Sequence, residues 1–103
     1  MSLFAKVQTC KRAELIKKSD IEKMKPALCA LDAIATSLRQ AGITFDFDRF
    51  PPYVDHGETV VRPVQGTRKT FVQVLKDNEF KRATSTACHE SYTRGNAILR
   101  IYW

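Results

Sequence analysis

Apolar positions fall into two rhythms along the chain, and the change between them comes near residue 42. Between Ile21 and Leu38, the residues Ile21, Met24, Leu28, Leu31, Ile34 or Ala35, and Leu38 recur at regular steps. Steps of three and four draw one stripe on a helix. Gly42 stands just past Ala41, where a left-handed residue closes a helix. Upstream, Ser19-Asp20-Ile21-Glu22 has the form of a capping box. Pro26 lacks an N–H and would crowd the Glu22 carbonyl, so the helix either kinks there or starts there. The pattern predicts a helix over Pro26 to Ala41.

From Ile43 the period is two. Ile43, Phe45 and Phe47 alternate with Thr44, Asp46 and Asp48, which predicts a half-buried strand that Pro51-Pro52 ends. Asp55-His56-Gly57-Glu58 reads as a turn. Thr59 to Val64 reads as a short edge strand, since Pro63 cannot donate to a ladder. Thr70 to Lys76 is helical on spacing alone, but its Thr, Val and Phe content tips the reading to strand. Asp77-Asn78 then makes a tight hairpin into Phe80 to Glu90, and Arg94-Gly95-Asn96 another into Ala97 to Trp103. At the start of the chain, Leu3 to Cys10 alternates loosely and reads as a strand.

The resulting order is strand, helix, strands. The expected fold is α+β: one amphipathic helix packed on a mainly antiparallel sheet of about four to six strands. With 103 residues there is room for one core, so residues 1–103 are expected to form a single domain.

Charge changes the picture from fold to partner. Lys and Arg total 17 against 11 Asp and Glu, a net charge of +6. Such a field draws nucleic acid or an acidic protein face. It is unevenly placed. Cations crowd residues 1–25 and 61–82, whereas residues 43–60 carry Asp46, Asp48, Asp55 and Glu58 against the single Arg49. The predicted hairpin at Asp77-Asn78 would gather Lys76, Lys81 and Arg82 at its tip, with Arg68 and Lys69 nearby. On the last strand, Ile98, Arg100 and Tyr102 share one face and Leu99, Ile101 and Trp103 the other. Tyr92, Arg94, Arg100, Tyr102 and Trp103 could make a cationic, aromatic surface suited to stacking and phosphate neutralisation, with Arg100 and Tyr102 facing outward. Arg49-Phe50-Pro51-Pro52-Tyr53 is a stiff aromatic segment suited to a contact, with Tyr53 as its anchor.

Candidate chemistry is thin. On a strand, Asp46 and Asp48 would lie about 6–7 Å apart on one face, where a divalent ion could serve phosphodiester hydrolysis. Cys88 and His89 would point to opposite faces of a strand and could not readily share one metal. Cys10, Cys29 and Cys88 are too few and too scattered for a disulfide framework or zinc knuckle, which fits a reducing, cytoplasmic setting. The first residues have no apolar core of a secretory signal, and no run approaches the 18 or so apolar residues of a membrane span. No Gly-rich phosphate loop is present, and no cofactor is expected.

These features predict a non-enzymatic interaction protein, an adaptor or inhibitor. It would dock a basic surface on an acidic partner such as a complex that handles nucleic acid. The partner-binding residues would be Lys76, Lys81, Arg82, Arg68, Lys69, Arg100, Tyr102 and Tyr53. Direct nucleic-acid binding is the alternative, and a metal-dependent nuclease built on Asp46 and Asp48 the second.

Overall fold

Ser2 accepts the Ala5 amide on its side-chain oxygen at 3.1 Å and so opens a helix where the sequence suggested a strand. In the computed structural model, which describes residues 2–10 and 16–103, this helix is α1, Leu3–Thr9. Leu3, Val7 and Cys10 recur at helical spacing, and Val7 is fully buried. The helix is too short to stand alone. It is fastened from outside: the Leu3 amide donates to both oxygens of Asp32, at 2.9 and 3.1 Å. Lys11, Arg12 and the rest of residues 11–15 lie outside the described residues.

Asp32 belongs to α2, Lys18–Ala33, which begins earlier than expected and runs through Pro26. Its N-cap is Lys17, without a side-chain cap, so the Ser19–Glu22 box falls inside the first turns. The apolar stripe is where the spacing placed it, with Met24, Ala27, Leu28 and Leu31 buried. Ile34, at φ −112° and ψ 21°, separates α2 from α3, Ala35–Gln40. Gly42 at φ +73° ends the run as the sequence suggested, and the Ile43 amide returns to the Leu38 carbonyl.

The expected strand from Ile43 to Asp48 does not form. Thr44 makes one bridge with Gln65, and the chain then turns. Asp46 Oδ1 accepts the Asp48 and Arg49 amides at 3.0 and 3.3 Å, and its carbonyl accepts the Phe50 amide. The alternation still chose sides correctly: Ile43 and Phe47 are buried and Phe45 packs against the core.

Two strands follow, β1 Tyr53–Asp55 and β2 Glu58–Val61. The turn between them has His56 at φ 52° and Gly57 at φ 78°, the paired positive values of a two-residue hairpin. Next comes α4, Arg68–Asp77, in place of the expected strand from Thr70 to Lys76. Thr67 caps it through the Thr70 amide, and Phe71, Val74 and Leu75 form its buried face. That three-and-four spacing, satisfied against the core, outweighs the β-branched composition. The Asn78 side chain donates to the Val74 carbonyl at 2.8 Å and helps close the helix, so no hairpin exists at Asp77-Asn78. The remaining strands are β3 Lys81–Ser85, β4 His89–Arg94 and β5 Ala97–Tyr102. The hairpin through Gly95-Asn96 joins β4 to β5 as predicted.

The fold is therefore α+β, with four helices among the described residues in place of one. The five strands lie in the order β1-β2-β5-β4-β3. All neighbours are antiparallel except β2 and β5, which run parallel. A parallel pair needs a long crossover, supplied by α4 and the β3–β4 hairpin. The helices cover one face, above Leu99 and Ile101 of β5 and Val61 of β2. The opposite face carries Tyr53, Glu58, Arg100 and Tyr102. Among the described residues, no helix is long and apolar enough to cross a membrane.

Gly66 joins β2 to α4 at φ +110°, and a Cβ there would stand 2.8 Å from Ile43 Cγ1. Gly66→Ala combines backbone strain with a core clash and is expected to cost about 2 kcal/mol in urea unfolding. An unchanged midpoint would show that the loop relaxes freely.

Candidate functional site

Because β2 and β5 run parallel, their carboxyl ends meet at one border of the sheet. There Val61-Arg62 lies beside Tyr102-Trp103, and the turn that Asp46 organises brings Arg49-Phe50-Pro51 alongside. Together with Tyr53 and Val60, these residues line a cavity of about 420 Å³. That is the size of a small-molecule site.

Its chemistry is cationic and aromatic. The guanidiniums of Arg49 and Arg62 both lie against the Phe50 ring, 5.1 and 4.7 Å from its centroid. Among the described residues, neither pairs with a carboxylate. Tyr53 is 51% exposed, an unusual position for a large ring. Its hydroxyl is pushed up from the ordinary value by burial, and further by Tyr102 and Asp55. Trp103 packs edge-on against Phe71, 5.6 Å between centroids. Its indole Nε1 is buried and has no hydrogen-bond partner among the described residues. The Arg68 guanidinium lies over the indole, 5.6 Å from its centroid.

The neighbouring sheet face is a closed network. Arg100, whose side chain is 13% exposed, donates through Nη1 to Asp55 at 2.7 Å and through Nη2 to Glu58. One guanidinium thus ties together β5, β2 and β1. Hydrogen bonding to Glu58 leads the causes that raise the Arg100 pKa, and Asp55 and Tyr102 add to it. Burial alone would push the Glu58 carboxyl up. Hydrogen bonds from Ser91 and Arg100, with the Arg100 charge, outweigh it and hold Glu58 below the usual carboxylate range.

The cations singled out in the sequence divide by what they touch. Arg68 donates through Nε to Glu90 at 3.0 Å and through Nη1 and Nη2 to the carbonyls of Ala87 and Thr86. Arg82 also faces Glu90, at 3.6 Å. These two arginines, like Arg100, serve the fold. Lys69 and Lys76 are exposed on α4, and Lys81 begins the exposed edge strand β3. Without a hairpin at Asp77-Asn78, Lys76, Lys81 and Arg82 do not share a tip. Tyr53 and Tyr102 do come together, in the cavity.

Asp46 and Asp48 line a different depression with Lys6, Thr9, Cys10, Phe45 and Phe47. They sit in a turn, so the shared strand face on which a bridging ion depended is not formed. Among the described residues, no group of three or more His, Cys, Asp or Glu side chains is arranged to hold a metal.

Arg49 and Phe50 belonged to a segment the sequence marked as a contact, but Arg62 and Trp103 carried no signal that they would join it. Only the parallel pairing of β2 with β5 brings them together. Comparison with protein-family models, with curated proteins and with solved structures finds no significant match.

Proposed function

We propose that this chain is a small, non-enzymatic binding domain whose anionic partner is single-stranded nucleic acid, held at the cavity between the ends of β2 and β5. The observation that carries the reading is the pair of guanidiniums without carboxylate partners among the described residues, Arg49 and Arg62, set among Phe50, Tyr53, Tyr102 and Trp103. Single-strand binding joins phosphate neutralisation to stacking on aromatic faces, and both are supplied here. An acidic protein surface would use the same charge, and rings also anchor protein contacts; a cavity of nucleotide size with two guanidiniums beside aromatic rings favours nucleic acid.

Fluorescence anisotropy with a labelled single-stranded decamer tests this. Two neutralised phosphate charges predict a log–log slope of affinity against salt of about −1.4. Absence of binding at low salt would remove the reading and return attention to an acidic protein partner. Stacking adds a second expectation. Tyr53→Ala, at an exposed position, should weaken binding by about 1–2 kcal/mol with little effect on stability. Unchanged affinity would take Tyr53 out of the interface.

A further inference from the structure

The charge around the cavity is asymmetric. On one side stand Arg49 and Arg62, with no carboxylate partner among the described residues. On the other, beyond Tyr53, the open sheet face carries Asp55 and Glu58, two carboxylates that share the single guanidinium of Arg100. A strand threaded through the cavity and onward over the sheet would bring its phosphates against those carboxylates. A strand that ends in the cavity would not.

The size agrees. About 420 Å³ has room for one nucleotide rather than a run of them. So does the valence. An internal phosphodiester carries one negative charge, whereas a terminal phosphomonoester carries nearly two at neutral pH. Both guanidinium carbons lie within about 5 Å of the Phe50 centroid. Both side chains are exposed and flexible, and binding one phosphate between them would use paired N–H donors from each.

We infer that the cavity takes a nucleoside phosphomonoester, presented as the phosphorylated end of a single strand. This rests on the nucleic-acid reading above and narrows it from strand binding to end recognition. A free mononucleotide offers the same chemistry, so the test separates the two sources.

One decamer would be compared in three forms: with a 5′-phosphate, with a 3′-phosphate, and with hydroxyls at both ends. Adenosine monophosphate would serve as a free competitor. One phosphorylated form should bind about tenfold more tightly than the hydroxyl-ended strand, and that advantage should fall below about twofold in the Arg49→Gln/Arg62→Gln variant. Both positions are exposed, so the variant should fold. Displacement of the decamer by adenosine monophosphate at a matching concentration would make the free nucleotide a sufficient ligand; resistance to it would require the strand. Equal affinity for all three decamers would overturn end recognition while leaving single-strand binding intact. Failure of every decamer to bind would overturn both.

Discussion

Replacing Arg49 and Arg62 together by Gln should weaken binding of a single-stranded decamer by about 30- to 100-fold, with stability changed by less than about 0.5 kcal/mol. Each Gln keeps most of the side chain's length and polarity but removes its charge. A hydrogen bond to a charged group is worth about 1.5–3 kcal/mol when the group is desolvated and less at an exposed site, so two together reach that range. The salt dependence should flatten with the affinity, because the variant releases fewer counterions. The contrast that isolates the site is a second double variant, Lys69→Gln/Lys76→Gln on α4. It lowers the net charge by the same amount, away from the cavity. If bulk charge alone drives binding, the two double variants will lose equally. If the cavity is the site, only the arginine pair will matter strongly.

The second large effect concerns the fold. Arg68→Ala is expected to destabilise the protein by about 2–3 kcal/mol in urea at neutral pH. Glu90 is a carboxylate whose side chain is only 5% exposed. It accepts from Tyr92 at 2.9 Å and from Arg68 at 3.0 Å. Removing Arg68 strips that carboxylate of its main counter-charge and frees the carbonyls of Thr86 and Ala87 that hold the β3–β4 turn. Arg82, farther off, offsets part of the loss.

The same site sets an acid limit. Burial pushes the Glu90 carboxyl up, but hydrogen bonds from Tyr92 and Arg68 and the charges of Arg68 and Arg82 prevail and hold it low. Glu58 is held low on the opposite face. A carboxyl lowered by folding contributes stability that is fully present above its unfolded pKa, about 4.3. That contribution is lost as pH falls through the folded value. Urea midpoints should therefore be flat from pH 7 to about 5 and then drop. The drop should be shallower in Arg68→Ala, where Glu90 has less to lose. A wild-type midpoint independent of pH down to 3 would contradict this description of the two carboxylates.

How legible these features are in the sequence depends on how local their causes are. The α2 stripe could be read because Met24, Leu28 and Leu31 pack against one surface and so must recur at helical steps. The turn at His56-Gly57 and the hairpin at Gly95-Asn96 could be read because positive φ demands particular residues. The first helix and α4 could not. Val, Thr and Phe favour strands on composition, and only the core that receives Val7, Phe71 and Leu75 makes the helical spacing decisive. Asp32 holds α1 from 29 residues away, which no local window contains. Residues 43–48 alternate because the core needs Ile43 and Phe47, whatever path the backbone takes between them.

The site divides in the same way. Tyr102 and Arg100 stand out in the sequence as ring and charge on an outward strand face, and Tyr53 as the end of a stiff aromatic segment. That Arg100 is consumed by Asp55, 45 residues away, could not be read there. Nor could the meeting of Arg62 with Trp103 at the border of the sheet. The basic surface anticipated on Lys76, Lys81 and Arg82 depended on a hairpin that α4 replaces. What remains of it is exposed lysine on α4 and at the start of β3, and one arginine turned toward Glu90.

The chain contains a single tryptophan, and Trp103 is among the residues that line the cavity. Titration of the protein with a single-stranded decamer, followed by the indole Nε1–H resonance and by tryptophan emission, therefore reports on the site directly. A saturable shift of that resonance is expected, with a parallel change in emission, both reversed by salt and absent in Arg49→Gln/Arg62→Gln. A decamer that binds while leaving the Trp103 indole unmoved would contradict the cavity as the binding site.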